Sequence, residues 1–365
     1  GDSTLTSNGT ITMSGANNIG IYAGKGTGTN AGTIDLTGAS GTSVGMVAQT
    51  VAGETATIEN ATRKEIKVGA NLGMYIAGTG TSKGINKGTI TATTGTGVYI
   101  ENSGNSFDGT GGTIESNTVG IYLKETDGGT VQSTGNLKIA SGGVGVFGEN
   151  AQIDFEVDTS TSEGAIGVAA SGNSVISGKI KTGDGSVGVY VLDNRVRFNG
   201  AVIETGASIP ETGPGVNDGK TSVGILFDSS KQGTYIVNNV TVNAKDGVGI
   251  YLQGSSGTTL DFGGTITTAG TGAVGIYVKT GTTLDSNNSS FNISNGAVGV
   301  YVTSGGTANL GTTGNLTFNF GTGGGTGVYN DGGTLTLGNN ITVTGSGSLA
   351  ATVNGDLTSS GNLTN

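Results

Sequence analysis

Apolar and polar positions along this chain fall into one recurring phrase, written most plainly as VGIYL at 248–252, VGIYV at 274–278 and VGVYV at 298–302. Keyed on its glycine, the phrase occurs at Gly20, Gly45, Gly73, Gly97, Gly120, Gly145, Gly167, Gly188, Gly224, Gly249, Gly275, Gly299 and Gly327. Near-constant spacing makes a repeat architecture the first reading. Within a copy the alternation has period two, which predicts a strand with one buried face. The aliphatic first and third positions (Val248 and Ile250, Val274 and Ile276, Val298 and Val300) are expected to point inward. The glycine and tyrosine positions are then expected outside. Tyr22, Tyr75, Tyr99, Tyr122, Tyr190, Tyr251, Tyr277, Tyr301 and Tyr329 share the fourth position, replaced elsewhere by Val47, Phe147, Ala169 and Leu226. Stacked in register, these rings would form a ladder.

Two weaker strands follow each copy. After Val248 they read as TLDF at 259–262 and GTIT at 264–267, before the phrase resumes at 274. The third strand recurs as TIDL at 33–36, TITA at 89–92, TIES at 113–116 and VIET at 202–205, the second as IDFEV at 153–157 and RVRF at 195–198. A fourteenth copy is expected at 348–353, with Ala350 in the glycine position. Three short strands in roughly 25 residues, with no helical pattern, suit one coil of a three-faced parallel β-helix; a propeller blade needs about 40 or more. The expected fold is therefore an all-β, right-handed parallel β-helix of about 14 coils, forming a single domain over 1–365.

Composition narrows the function. The chain has 74 glycines, two prolines and no Cys, His or Trp, and its 16 basic and 26 acidic residues give a net charge of −10. Such a balance, without runs of like charge, argues against a nucleic-acid partner. Lack of cysteine removes disulfides and thiol chemistry, and lack of histidine removes Ser–His catalysis and His-ligated metals, so no cofactor is expected. No apolar run is long enough to span a bilayer, and no membrane contact is expected of this stretch. Because the pattern is already running at GTIT 9–12 and still running at 356–365, the chain reads as a fragment of a longer protein.

The GVGIY and GTIT phrasing, the Thr/Asn/Gly background and the absence of cysteine resemble the passenger region of type V secreted autotransporter adhesins. The wording is most similar to the large autotransporters of fusobacteria. That resemblance implies an extracellular stalk at the cell surface, carried by a C-terminal outer-membrane barrel elsewhere in the parent chain. It also implies partners that are glycans or proteins of host cells or other bacteria. The alternatives are a purely structural spacer for a binding tip elsewhere, or a β-helical polysaccharide-active enzyme.

Four stretches are candidate sites. The tyrosine ladder offers aromatic area to a sugar or protein, although its rings equally serve to shield neighbouring glycines. The widest gap, between Gly188 and Gly224, holds an insertion at about 206–220 with both prolines. Loops of this kind carry recognition in solenoids. Just before it, Arg195 and Arg197 are expected on one outward face, where they would take an anionic group. The expected partner-binding set is Tyr190, Arg195, Arg197, Pro210, Glu211, Pro214, Asn217, Asp218 and Lys220. Asp154, Glu156 and Asp158 alternate outward, about 7 Å apart, a separation that overlaps that of inverting glycosidases. No second constellation supports chemistry there, so no enzyme is expected. Ice binding through Thr-x-Thr arrays is set aside, because GTIT alternates with TIES and VIET and leaves no continuous Thr face.

Overall fold

The computed structural model describes residues 3–212, 219–353 and 356–359. Among them there is strand and turn but no helix, and the parallel strands form a β-solenoid of about fourteen turns. The chain divides into two compact units, Gly1–Ala169 and Ala170–Asn365.

In the first unit each coil has three strands, and each strand pairs in parallel with its counterpart one coil on. The VGIY face runs through Ile19–Ala23, Val44–Thr50, Leu72–Gly78, Thr96–Glu101, Val119–Lys124 and Val144–Glu149. The second face includes Gly26–Asn30, Thr55–Asn60 and Thr81–Asn86, and the third Thr33–Asp35, Glu65–Lys67, Thr89–Ala92 and Thr113–Ser116. Register places like on like. Ile34, Ile66, Ile90 and Ile114 form one inner row and are fully buried. Burying each such side chain stabilises the stack by about 1.5–3 kcal/mol.

The second unit repeats the VGIY face through Val187–Val191, Val223–Phe227, Val248–Leu252, Val274–Val278, Ala297–Thr303 and Gly325–Asp331. Its other two faces are not always separate. TLDF and GTIT, expected as two strands, lie in one strand, Thr258–Ala269, and the preceding coil has the same long form in Thr234–Ala244. Between them the register shifts after Asn238, with Asn239 and Val240 set against Gly264 alone. The corner is thus made by a bulge, which bends a strand without ending it.

The expected inward parity holds for half of the phrase. Ile250, Ile276 and Val300 are fully buried, and Tyr277 and Tyr301 lie on the outside. The first position, however, shares the tyrosine side: Val223, Val248 and Val274 form a cluster apart from the main core, packed against Tyr251, Tyr277, Tyr301 and Val298. The glycine points inward. A Cβ on Gly249 would lie 2.5 Å from the Gly275 carbonyl oxygen and 3.0 Å from the Ile266 methyl, and the same clash recurs at Gly73 and Gly97. Glycine and the next aliphatic residue both face the interior, so strict alternation breaks at that step. The fourteenth copy is also shifted by one: Ala350 pairs with Val328, which leaves Leu349 rather than Ala350 in the glycine position.

Candidate functional site

The insertion leaves the solenoid after Ala201–Glu204 and returns into Val223–Phe227, at the corner between the third face and the VGIY face. Its base is closed by an antiparallel pair, with Ile209 N–H donating to Lys220 O at 2.7 Å and Lys220 N–H to Ile209 O at 2.8 Å. Two carboxylates anchor the approach: Ala207 N–H donates to Asp184 Oδ1 (2.7 Å) and Ser208 N–H to Asp246 Oδ1 (2.6 Å). Pro210 and Glu211 are exposed beyond the clasp, and Lys220 is half-buried in it. Pro214, Asn217 and Asp218 lie outside the described residues.

Arg195 and Arg197 sit at a different corner, between the VGIY face and the second face. Both are exposed, while the alternating Val196 and Phe198 are buried as expected. Arg195 lies in a turn rather than a strand, and its guanidinium grips Asp193 with two bonds, 3.0 Å from Nε and 2.9 Å from Nη2. That pairing holds the Asp193 carboxyl below the usual range, chiefly through the hydrogen bond. Arg197 Nη1 donates to the carbonyls of Asn194 (2.7 Å) and Val196 (3.0 Å). Tyr190 lies on the VGIY face itself, opposite Leu226. The six described residues of that expected set, Tyr190, Arg195, Arg197, Pro210, Glu211 and Lys220, therefore do not converge. Sequence proximity joined two corners that the coil separates by the width of a face.

The tyrosines do form ladders, one in each unit. Tyr75, Tyr99, Tyr122 and Phe147 follow at centroid spacings of 5.5, 4.8 and 4.9 Å, and Tyr251, Tyr277, Tyr301 and Tyr329 at 5.1, 5.2 and 5.2 Å. Ring faces are used up by neighbouring rings, so inside a ladder only edges and hydroxyls meet solvent. A stacking platform for sugars needs free faces. Several hydroxyls are engaged too: Tyr75 donates to Glu101 (2.7 Å), Tyr122 to Glu149 (2.6 Å) and Tyr301 to Asp331 (3.0 Å). Burial, then the acceptor carboxylate, raises the phenol pKa, to about 12 for Tyr301.

Asp154 and Glu156 are exposed and Asp158 half-exposed, on the expected alternation. Asp154 accepts from Gly129 N–H (2.9 Å) and Asp158 from Ser160 N–H (2.9 Å), bonds that hold turns. Among the described residues no three acids or other ligating side chains converge to hold a metal ion.

One feature escaped sequence reading because it exists only in register. On the third face of the second unit the outward rows Thr241, Thr265, Ser290, Thr317, Thr342 and Asn243, Thr267, Asn292, Asn319, Thr344 are continuous and uncharged. TIES and VIET fall in other coils and do not interrupt them. The signal was the charge content of each third strand taken coil by coil.

No curated protein matches the chain. Among solved structures, the catalytic domain of a GH87 alpha-1,3-glucanase in complex with tetrasaccharides aligns at 13% identity and a TM-score of 0.24, a likeness too distant to bear on function. The alignment covers 94% of this chain and 62% of that one. Residues 1–115 match the family described as the BigA third pectate lyase-like domain, a match that supports a β-helical passenger of the autotransporter type.

Proposed function

We propose that this chain is part of an extracellular autotransporter passenger and acts as an adhesin stalk at the bacterial cell surface. Its partner would be a glycan or protein on a host cell or another bacterium. The observation that carries this reading is the clasped insertion at 206–220. A solenoid's lateral surface nearly repeats, and a specific partner is best met where the repetition breaks. The Ile209–Lys220 clasp and the Asp184 and Asp246 anchors hold the excursion to the coil at its base. The family match over 1–115 supports the passenger part of the proposal. We assign it no catalytic role.

A second reading, a structural spacer, is favoured by one observation: the Arg195 fork is already filled by Asp193. Displaying this chain on a cell surface separates the two. Removing 211–218 while keeping the Ile209–Lys220 pair should leave the circular dichroism unchanged and weaken binding to target cells at least about tenfold. Full binding by that variant would make the spacer reading the better one.

A further inference from the structure

A groove of about 540 Å³ crosses five coils of the second unit at the corner between its second and third faces, at the opposite end of the strand Ala201–Glu204 from the clasped insertion. Its volume lies within the range of ligand pockets, about 300–1,000 Å³. Four coil steps of about 4.8 Å make it about 19 Å long, enough for an extended chain of several sugar units. The bulges build it. Asn239 and Asn288 rise at φ of 53° and 54°, conformations that asparagine tolerates, while Gly263 and Gly264 between them leave the wall without side chains. The row Thr265, Ser290 and Thr317 forms the adjoining side, half-exposed and in register.

No charged residue lines this groove. The contrast along the third face is sharp. In earlier coils its outward positions carry Glu65 and Lys67, Glu115 and Lys138, and Lys179 and Glu204, each pair joined by an ion pair. From Thr241 to Thr344 every outward position of the two rows is Thr, Ser or Asn. Their polar groups are held in place: Asn319 Nδ2 donates to Ser290 Oγ (3.1 Å) and to Asn292 Oδ1 (2.9 Å), and Asn292 Nδ2 donates to Thr267 Oγ1 (3.2 Å). Accepting from Asn319 leaves the Ser290 O–H to donate outward. Fixed hydroxyls and amides without charge match the hydroxyls of an uncharged sugar. An anionic glycan or an acidic peptide would find no cation to pair with.

From this we infer that the groove along Asn239, Gly263, Thr265, Asn288, Ser290 and Thr317 binds a neutral, unbranched polysaccharide lying parallel to the stacking direction of the coils. The inference does not rest on the adhesin reading or on the insertion. Titration calorimetry of the whole chain with cellohexaose, maltohexaose and chitohexaose, beside a heparin hexasaccharide, tests it. At least one neutral hexasaccharide should bind and the heparin fragment should not. The double variant Thr265→Glu/Ser290→Glu, and separately Thr317→Lys, should weaken that binding at least about tenfold with native circular dichroism. Removal of 211–218 should leave it intact. The inference is overturned if no neutral hexasaccharide binds, if the heparin fragment binds in their place, if either folded groove variant binds as the parent does, or if loop removal abolishes binding. Failure of cell adhesion with hexasaccharide binding retained would sink the adhesin reading and leave this one standing.

Discussion

Glycine at the second position of each phrase is required by close approach rather than by an unusual dihedral angle. The Cβ of an alanine at Gly249 would lie 2.5 Å from the next coil's carbonyl oxygen, a backbone atom that cannot swing aside. Gly249→Ala should therefore destabilise the chain by about 1–3 kcal/mol, the range of overpacked cores, as measured by denaturant midpoint. Gly9→Ala, whose Cβ would meet nothing within 4 Å, should stay within about 0.5 kcal/mol. Tyrosine gives a residue-scale prediction in pH. Tyr301 titrates at about 12 in the folded chain against 10.0 ordinarily, because burial and then the Asp331 carboxylate disfavour the phenolate. Below pH 10 both states are protonated and the stabilisation is fully present. Between pH 10 and about 12 the unfolded chain loses its proton first, so stability falls as pH rises. Denaturant midpoints across that window should decline, and Tyr301→Phe should flatten part of the decline.

At the scale of elements, the turn after the second strand in the first unit is held by buried amides. Asn30, Asn60 and Asn86 are fully buried; Asn30 Nδ2 donates to Asn60 Oδ1, and Asn60 Nδ2 to Asn86 Oδ1, each at 2.9 Å. Asn60→Ala would take a partner from both neighbours in a dry site. We expect a loss of about 1–3 kcal/mol, read from thermal or denaturant unfolding. Nothing in the period-two pattern marks these asparagines, since sequence places them among many other turn residues. Their role depends on three coils bringing them within one hydrogen bond of each other. The bulge at Asn239 was hidden for a related reason: a polar residue between two alternating runs reads as a break, and only the neighbouring strand shows that pairing continues through it.

For the whole molecule, stability in a solenoid is close to a sum of coil and nearest-neighbour terms. Gly73→Ala in the first unit and Gly275→Ala in the second each place a Cβ within 2.4 Å of a neighbouring carbonyl. They share no partner. Their effects on unfolding free energy should add to within about 0.5 kcal/mol, whereas Gly249→Ala and Gly275→Ala, in adjacent coils, should couple. A fit to equilibrium unfolding of the two double variants checks both statements.

Repetition of one phrase determined the all-β class, the three-strand coil of the first unit, the count of turns and the inward row of Ile250, Ile276 and Val300, because burial of alternate aliphatics needs only local order along each strand. It also marked the extra residues between Gly188 and Gly224, whose base the Ile209–Lys220 pair closes. The tertiary structure alone decided the rest. Glycine faces inward because the neighbouring coil's carbonyl occupies the space, and Val248 turns outward because tyrosines from adjacent coils cover it. Arg195 is engaged because its turn brings Asp193 within reach. The insertion and the arginines part company because a face of the coil lies between their corners, and the uncharged groove arises because residues some 25 positions apart in sequence become neighbours 4.8 Å apart, about one strand spacing, in the stack.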